Sequence, residues 1–344
     1  MAKGAKRNIK TPKKRVDDTD SDEIEDNSDN DANSSNANTS VAADRTDDIE
    51  GLSESVEKLS DKRASTREAG LKGILKVLRG TNQSMVDSVS NYNDTICSSL
   101  SRMLRRPASL KEGTLCLDAY CLLCLLAGPD EGDLFDQFEQ FLTKLVNGNS
   151  NYEELRVAAI AALAFSSYIC SSEAHYRVMT LCEDVLCGES EGEPATPALQ
   201  ARAAASWTLL ASINSEEAVL ARCKDRIFEE LVELLEEGES EVKISAGFSF
   251  GVLWDIADSV APEVDWSISG MELCDNPAKV AQAVATLQKV SKESSKRISK
   301  KDRKEQVRSV IYLFIYLSNY PYFSFHSPFI LICTIDDALF VMLI

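Results

Sequence analysis

Leu155–Ile169 reads LRVAAIAALAFSSYI, an alanine-rich stretch with one basic residue near its start. Alanine is the best helix former and adds almost no bulk, so a second helix can approach such a surface closely. A helix that is apolar or small on nearly every side must be packed between partners. The stretch therefore predicts a helix in the interior of a helical protein.

The same pattern occurs five times: a basic residue, small residues two and three positions later, and then an apolar stripe. The basic residues are Arg67, Lys111, Arg156, Arg202 and Lys243. They are separated by 44, 45, 46 and 41 residues, and a period of about 40–47 residues is typical of HEAT and armadillo repeats. The sequence therefore predicts an all-α fold, an armadillo/HEAT-like α-solenoid of about five helical hairpins.

Charge and cysteine content exclude some classes of protein. The 344 residues carry a formal net charge of -18, which argues against a folded domain that binds nucleic acid over a broad surface, although a local basic element is compatible with it. Ten Cys residues are present. Because several of them lie in apolar helical runs and no apolar signal sequence precedes them, we expect reduced, buried thiols in an intracellular protein.

Changes in composition divide the chain into four parts. Residues 1–45 are first basic and then acidic, and we expect them to be disordered. Residues 46–290 form the helical-repeat domain, and residues 291–308 form a basic helical segment. Residues 309–344 are an atypical apolar C-terminal extension that contains no Lys or Arg.

The apolar extension has two interpretations. Pro321 and Pro328 break it into short pieces, so we do not expect it to span a membrane. We expect sequence that is not part of the evolved fold, such as translated non-coding sequence, because the composition changes abruptly. The alternative is a tail anchor that follows the basic segment.

Helical periodicity and turn residues predict the hairpins of the repeat domain. The first predicted helix starts near Asp47 and is followed by a helix that ends at Leu78. The later predicted pairs are 83–105 with 109–127, 133–146 with 153–170, 174–187 with 199–213, and 216–237 with 241–257. A further helix is predicted at 278–290, and the acidic insert at 188–197 is predicted to be a mobile loop.

No pattern indicates catalysis. His175 lies at a predicted helix start and is expected to be a surface or hydrogen-bonded histidine, not a general base. Cys121 and Cys124 have CxxC spacing but lie inside an apolar helix without a second pair of ligands. No phosphate-binding glycine motif is present. We therefore expect no enzymatic activity, metal, cofactor or small-molecule substrate.

Surface recognition remains as the expected function. The five basic residues of the repeats are predicted to form a ladder at one edge, a candidate partner-binding surface; the alternative is that they cap turns. Trp207 and Trp254 lie in small-residue helices, where we expect them to pack between hairpins, although aromatic side chains can also anchor a partner.

Two basic stretches lie outside the repeats. KESSKRISKKDRKEQVRS at residues 292–309 is the strongest local charge inversion in this acidic chain. Its candidate phosphate contacts are Lys296, Arg297, Lys300, Lys301, Arg303 and Lys304; the alternative is a solvated helix end. Lys13, Lys14 and Arg15 are a candidate nuclear-import signal, or simply part of a solvated basic tail.

Several of these segments together resemble the interferon-related developmental regulator family. They are DKRASTREAGLKGILKVL at Asp61–Leu78, RVAAIAAL from Arg156, RAAASWTLL from Arg202, and above all SSKRISKKDRKEQVRS at residues 294–309. The resemblance covers residues 47–308. The family continues into a short charged C-terminal module that is not found here, so an activity that depends on this module is not expected.

The resemblance implies two roles, in the nucleus and in the cytoplasm. One is transcriptional co-regulation, with the solenoid face contacting regulatory proteins. The other is association with inactive ribosomes, in which the basic C-terminal segment contacts rRNA. We expect the first role, with the second as the alternative, and we do not expect a membrane partner.

Overall fold

The computed structural model describes six ranges of the chain that lie within one compact unit. The ranges are 51–80, 89–129, 132–148, 152–190, 192–260 and 273–297. Every regular element in these ranges is helical, and none of their residues lies in a β-strand. The predicted all-α fold is therefore confirmed. The predictions for residues 1–45 and 309–344 lie outside the described residues.

The α-helices of the described ranges are numbered in chain order. They are α1 (51–58), α2 (Ala64–Arg79), α3 (Asn93–Arg105), α4 (Leu110–Ala127), α5 (Gly132–Asn147), α6 (Glu153–Cys170), α7 (His175–Leu186), α8 (Pro197–Ala211), α9 (Glu216–Arg222), α10 (Phe228–Glu237), α11 (Ser240–Val260) and α12 (Pro277–Arg297). A 3-10 turn at Ser172–Ala174 precedes α7, and a π-helical segment at Cys223–Ile227 joins α9 to α10.

The five helices with the repeated pattern, α2, α4, α6, α8 and α11, are called here the second helices because each completes a hairpin. Each packs against the second helix of the next repeat, so that they form one continuous stack. α6 also packs on α5, α8 on α7, and α11 on α10. A second helix in the middle of the array therefore has neighbours on three sides, which explains its small and apolar composition.

Close approach between second helices depends on glycine at one position. A Cβ atom on Gly113 of α4 would lie 2.8 Å from Cδ1 of Leu155 on α6. Real Cβ atoms essentially never come so close, so with a larger residue at position 113 either the buried Leu155 side chain or the helices must shift. The absence of a side chain here thus makes room for Leu155 between α4 and α6.

The first helices of the hairpins are amphipathic. In α5 the buried residues Leu134, Phe135, Phe138, Leu142 and Val146 follow helical spacing along one side. Phe138 stacks on Tyr120 of α4 with ring centroids 4.3 Å apart. A continuous set of such contacts forms the core from α1 to α12.

The structure corrects three local predictions. Residues 91–92 form a turn before α3 begins at Asn93, so the helix predicted at 83–105 is interrupted; its residues 83–88 lie outside the described ranges. The helix predicted at 216–237 contains the π-helical segment. α12 runs to Arg297, so the predicted basic segment starts inside this helix and not after it.

The acidic insert was predicted to be mobile, but side-chain contacts hold its described residues. Thr196 caps α8 by accepting a hydrogen bond from the Leu199 amide at 3.3 Å, and Pro197 occupies the first turn. Glu189 pairs with Arg226, and the carbonyl of Glu193 accepts a hydrogen bond from Arg156. The described residues of the insert thus contact neighbouring helices while most of them remain exposed, and the mobility of the insert stays a prediction.

Candidate interaction surfaces

The first basic residue of the pattern, Arg67, joins two successive repeats. Its Nε donates to Glu112 Oε1 on α4 at 2.5 Å, and its Nη1 donates to the carbonyls of Asp61 and Lys62 at 3.0 and 2.9 Å. Hydrogen bonding to Glu112 raises the pKa of Arg67 above its usual value. The other oxygen of Glu112 accepts from the Ala108 amide at 2.6 Å. Arg67 is therefore a structural link.

Arg156 lies in the interior, with only 1% of its surface exposed. Its Nε donates to the Val146 carbonyl at 2.9 Å, Nη1 to Glu153 Oε2 at 3.1 Å, and Nη2 to the Glu193 carbonyl at 3.1 Å. The prediction that Arg156 belongs to a partner-binding surface is wrong. Its guanidinium satisfies polar groups of three segments instead, since buried polar groups require hydrogen-bond partners.

The three remaining basic residues of the pattern differ in their surroundings. Lys111 is exposed and lies 3.7 Å from Glu68 Oε2, and the Lys243 ammonium donates to the Glu236 carbonyl at 2.8 Å. Arg202 is half-buried. A role of Lys111, Arg202 and Lys243 in partner binding stays a prediction. The hydrogen bonds that Arg67, Arg156 and Lys243 make within the protein are closer to the alternative role, the capping of turns.

Sequence reasoning missed a buried carboxylate that joins α7 to α8 and α9. Glu183 accepts a hydrogen bond from Trp207 Nε1 at 2.9 Å and from Arg222 Nη1 at 2.7 Å, and Arg226 Nη1 lies 3.6 Å away. Trp207 is 1% exposed, and Trp254 is buried as well, so the prediction that they pack in the interior is confirmed. The signal for this cluster was an acidic residue among the apolar positions Val178, Cys182 and Leu186 of α7, but no pattern names its partners.

The π-helical segment places the cations of this cluster. A π turn carries one residue more than an α turn, which rotates the following side chains relative to a regular helix. Arg222 precedes the segment and Arg226 lies within it, and both reach Glu183. Arg226 Nη2 also donates to Asp184 Oδ1 at 2.9 Å. The irregular turn thus belongs to an ion-pair network between repeats.

Eight of the nine described thiols and the described histidine are buried, and Cys187 is half-buried. Burial raises the pKa of Cys121 to about 12 and that of Cys97 to about 11, which disfavours the reactive thiolate. His175 Nε2 lies 3.1 Å from the Ser167 carbonyl, in accord with a hydrogen-bonded histidine. Among the described residues, no group of three or more His, Cys, Asp or Glu side chains is arranged to hold a metal ion.

Partly exposed residues occur on three of the second helices. On α6, Ala161, Phe165 and Tyr168 are spaced four and three residues apart and are each partly exposed. Ala205 of α8 and Phe248 of α11 are likewise partly exposed. These three helices pack against one another and against the first helices of their hairpins. We call these five residues the second-helix stripe.

Carboxylates follow the stripe on α11. Burial, together with the negative charges of Asp258 and Glu216, raises the pKa of Asp255 to about 6. Asp258 is exposed at the end of the same helix. α11 therefore carries acidic residues after its aromatic stripe residue.

The helix that leads into the predicted basic segment is fixed to the last repeat. Gln282 Nε2 and Thr286 Oγ1 of α12 donate to Glu236 Oε1 at 2.9 and 3.1 Å, and Lys279 pairs with Glu229. These hydrogen bonds lower the pKa of Glu236. Lys296 and Arg297 lie in the last turn of α12. Their side chains lie outside the described part of the chain, as do Lys300, Lys301, Arg303 and Lys304, and the candidate import signal Lys13, Lys14 and Arg15.

Comparison with known proteins identifies a family and similar solved structures. The family model of the interferon-related developmental regulator matches residues 19–310, which includes the whole region of the resemblance at 47–308 and begins earlier. A designed armadillo repeat protein is 15% identical, covers 76% of this chain and 99% of its own length, and has a TM-score of 0.40. In the described ranges, no helix is long and apolar enough to cross a membrane.

Proposed function

The chain belongs to the interferon-related developmental regulator family, and from this premise we propose that it is a non-enzymatic helical-repeat adaptor that acts as a transcriptional co-regulator through protein–protein contacts. The observation that carries the proposal is the second-helix stripe. Partly exposed aromatic side chains on a rigid stack are the usual anchors of protein interfaces. The alanines between them allow the backbone of a partner to approach.

The stripe favours a partner segment of particular chemistry. Phe165, Tyr168 and Phe248 offer aromatic surface to apolar side chains, and aromatic residues are enriched at the centres of interfaces. Asp255 and Asp258 lie beyond the stripe on α11 and favour basic residues at that end. We therefore propose a partner segment with apolar anchors and a basic flank.

A site-specific crosslink tests this proposal. A photoreactive phenylalanine analogue replaces Phe165 in the full chain, and in a control it replaces Tyr176, an aromatic residue of α7 that is 36% exposed. In nuclear extract, we expect crosslinks from position 165 to subunits of transcription-factor or corepressor complexes, and none from position 176. The same crosslinks from both positions, or none to such complexes, would contradict the proposal.

The alternative function is a translation regulator that contacts ribosomes or RNA through residues 292–308. Eight Lys and Arg residues lie in this segment against three acidic residues. Its first part continues α12, which is fixed to the last repeat, so the cations start from a defined place. A cationic element of this kind suits phosphate contacts.

Sedimentation separates the alternative from the main proposal. In the test variant, Lys296, Arg297, Lys300, Lys301, Arg303 and Lys304 are each changed to Glu. If the segment contacts rRNA, the wild-type chain sediments with ribosomes in a sucrose gradient and the variant does not. Unchanged sedimentation of the variant would exclude this segment as the contact.

We further propose that the protein is present in both nucleus and cytoplasm, with Lys13, Lys14 and Arg15 as the import signal. The support for this is the basic composition of the segment alone. Changing the three residues to Ala in a fluorescently tagged full chain should lower the nuclear fraction. An unchanged nuclear fraction would remove the segment as a signal.

A further inference from the structure

Charge is distributed unequally along the described repeats. From residue 51 to Lys111 the described residues include eleven Lys and Arg against five Asp and Glu. From Glu112 to residue 260 they include eight Lys and Arg against 24 Asp and Glu. The chain as a whole is strongly acidic. The first repeats are therefore a basic pole on a protein that otherwise repels anions.

Part of this pole is a preformed edge where three segments meet. The segments are the α1–α2 connection, the end of α3 and the start of α4. Arg102 Nη2 donates to the Leu59 carbonyl at 2.7 Å, which joins α3 to the first connection. Through Arg67 and Glu112 the same connection is joined to α4. The exposed cations on these segments, called here the basic edge, are Lys62, Arg63, Arg102, Arg105, Arg106 and Lys111.

Most cations of the basic edge are not neutralised by the described part of the protein. No described carboxylate forms an ion pair with the side chains of Lys62, Arg63 or Arg106. Of the nearby acids, Asp61 is exposed and accepts a hydrogen bond from the Arg63 amide at 2.7 Å, and Glu112 is buried and is bonded to Arg67 and Ala108. Glu68 accepts from Ser109 Oγ at 2.8 Å and lies near Lys111.

Neighbouring residues keep the basic edge in place and extend it. The Arg105 guanidinium lies 4.8 Å from the centre of the Phe141 ring, a stacked arrangement that holds it while leaving its donors available. On α2, the exposed residues Lys72, Lys76 and Arg79 are spaced four and three residues apart and therefore share one side. These three cations add to the positive charge of the first repeats.

The surroundings of the edge favour a phosphate backbone as the partner. The exposed large apolar residues of the described chain are Tyr176, Ile213 and Val260, and none of them lies on the edge. A protein interface of ordinary strength needs an apolar or aromatic centre, whereas phosphate binding does not. Recognition of single strands relies on aromatic side chains that stack on bases. Phe141, the partly exposed aromatic residue beside the edge, is covered by Arg105, so the edge fits a phosphate backbone better than a protein surface or a single strand.

From this combination we propose that the basic edge binds the sugar–phosphate backbone of double-helical nucleic acid without reading its sequence. The site is separate from residues 292–308 and goes beyond the adaptor function. The acidic repeats beyond α4 repel the phosphates of the duplex, so we expect the duplex to approach the basic first repeats. RNA and DNA duplexes present the same phosphate chemistry, so both are used as ligands in the test.

The test compares two variants of the full chain that lose the same charge. The edge variant carries Lys62→Ala, Arg63→Ala and Arg106→Ala, and the control carries Lys144→Ala, Lys224→Ala and Lys289→Ala. All six side chains are exposed, and circular dichroism melting curves check that both variants fold. Residues 292–308 are intact in both variants, so their contribution to nucleic-acid binding cancels in the comparison. The comparison does not depend on the adaptor proposal, so failure of that proposal would leave it unaffected.

Binding to short fluorescent RNA and DNA duplexes is measured by anisotropy over a range of salt concentrations. Each lost phosphate contact lowers the slope of log affinity against log salt by about 0.9, so we expect the edge variant to lose about 2 to 3 in slope and about tenfold in affinity relative to the control. Equal binding by the two variants would overturn the proposal. So would displacement of the duplex by polyglutamate at equal charge concentration, which would point to an acidic protein.

Discussion

The middle of the helical array and its second repeat place the same type of residue in opposite surroundings. Arg156, at the start of α6, is buried and bonds to three segments. Arg106, at the end of α3, is exposed and makes no ion pair with a described carboxylate. The difference follows from position: Arg156 lies against the last turn of α5 and the acidic insert, whose carbonyls accept its hydrogen bonds, whereas Arg106 follows the last residue of α3 and is exposed to water. Arg156 thus stabilises the fold, whereas Arg106 is available to a partner.

Removal of the central arginine should have the largest effect. Arg156→Ala leaves the Val146 and Glu193 carbonyls without their donor and Glu153 without its cation, so we expect a loss of about 3 kcal/mol in the free energy of unfolding. Arg106→Ala, the matched change at the exposed position, should stay within about 0.5 kcal/mol of the wild type. Urea denaturation followed by circular dichroism measures both, and similar losses would remove the distinction between the two positions.

The buried carboxylate of α7 should come second. Glu183→Ala removes the acceptor of Trp207 Nε1 and Arg222, but both arginines of the cluster are partly exposed and can regain water, so we expect about 2 kcal/mol. Asp184→Asn, at the half-exposed neighbouring position, should cost less than about 1 kcal/mol. Thermal melting with Trp fluorescence compares them, and an equal effect of the two substitutions would mean that Glu183 is not a central link.

Two glycines sharpen the comparison through packing. Gly113→Ala places a Cβ atom against Leu155, so overpacking of about 1 to 3 kcal/mol should outweigh the gain of about 1 kcal/mol in helix propensity. At Gly247 of the last repeat a Cβ atom would meet Leu287 and Leu235 at 3.7 and 3.8 Å, an ordinary contact. Gly247→Ala should therefore stabilise. Chemical denaturation measures the change in the free energy of unfolding for both variants. Stabilisation by Gly113→Ala would show that α4 and α6 are not in tight contact.

The smallest expected effect depends on pH. Because the pKa of Asp255 is raised to about 6 in the folded chain, the folded state binds a proton that the unfolded state has already released between pH 4 and 6. This contribution to stability is present below pH 4 and is lost as the pH rises through 6. Asp255→Asn should thus match the wild type near pH 4 and melt at a higher temperature near pH 7. If the difference in melting temperature between Asp255→Asn and the wild type were the same at pH 4 and pH 7, the pKa of Asp255 would not be raised in the folded chain.

Periodicity was sufficient to predict the array because packing imposes it. Every second helix needs small residues where its neighbours approach, so the pattern at Arg67, Lys111, Arg156, Arg202 and Lys243 recurs with the repeat. The boundaries of α6 and α8 agree with the sequence prediction to within two residues. The family resemblance, which depended on the same helices and the basic stretch after them, is confirmed.

The orientation of individual charged side chains could not be predicted in the same way. A basic residue in the first turn of a helix can point to solvent or back over the preceding connection, and the spacing is the same for both, so Arg156 was assigned to a surface. Glu183 depends on Arg222 and Arg226, which lie about 40 residues later and on either side of the start of a π turn. Local patterns contain no information about such a contact. The basic edge was missed for a related reason, since its segments meet only in the folded chain.

The central claim is that partners bind the second-helix stripe, and one co-precipitation tests it directly. Ala161→Arg with Ala205→Arg places two long cations on the second-helix stripe, while Ala221→Arg with Ala285→Arg adds the same charge on exposed positions of α9 and α12. We predict that transcriptional regulators are recovered from nuclear extract with the wild type and the control, and are lost with the stripe variant, while all three chains keep the same melting temperature. Equal recovery of these regulators with the stripe variant and the control would contradict the account.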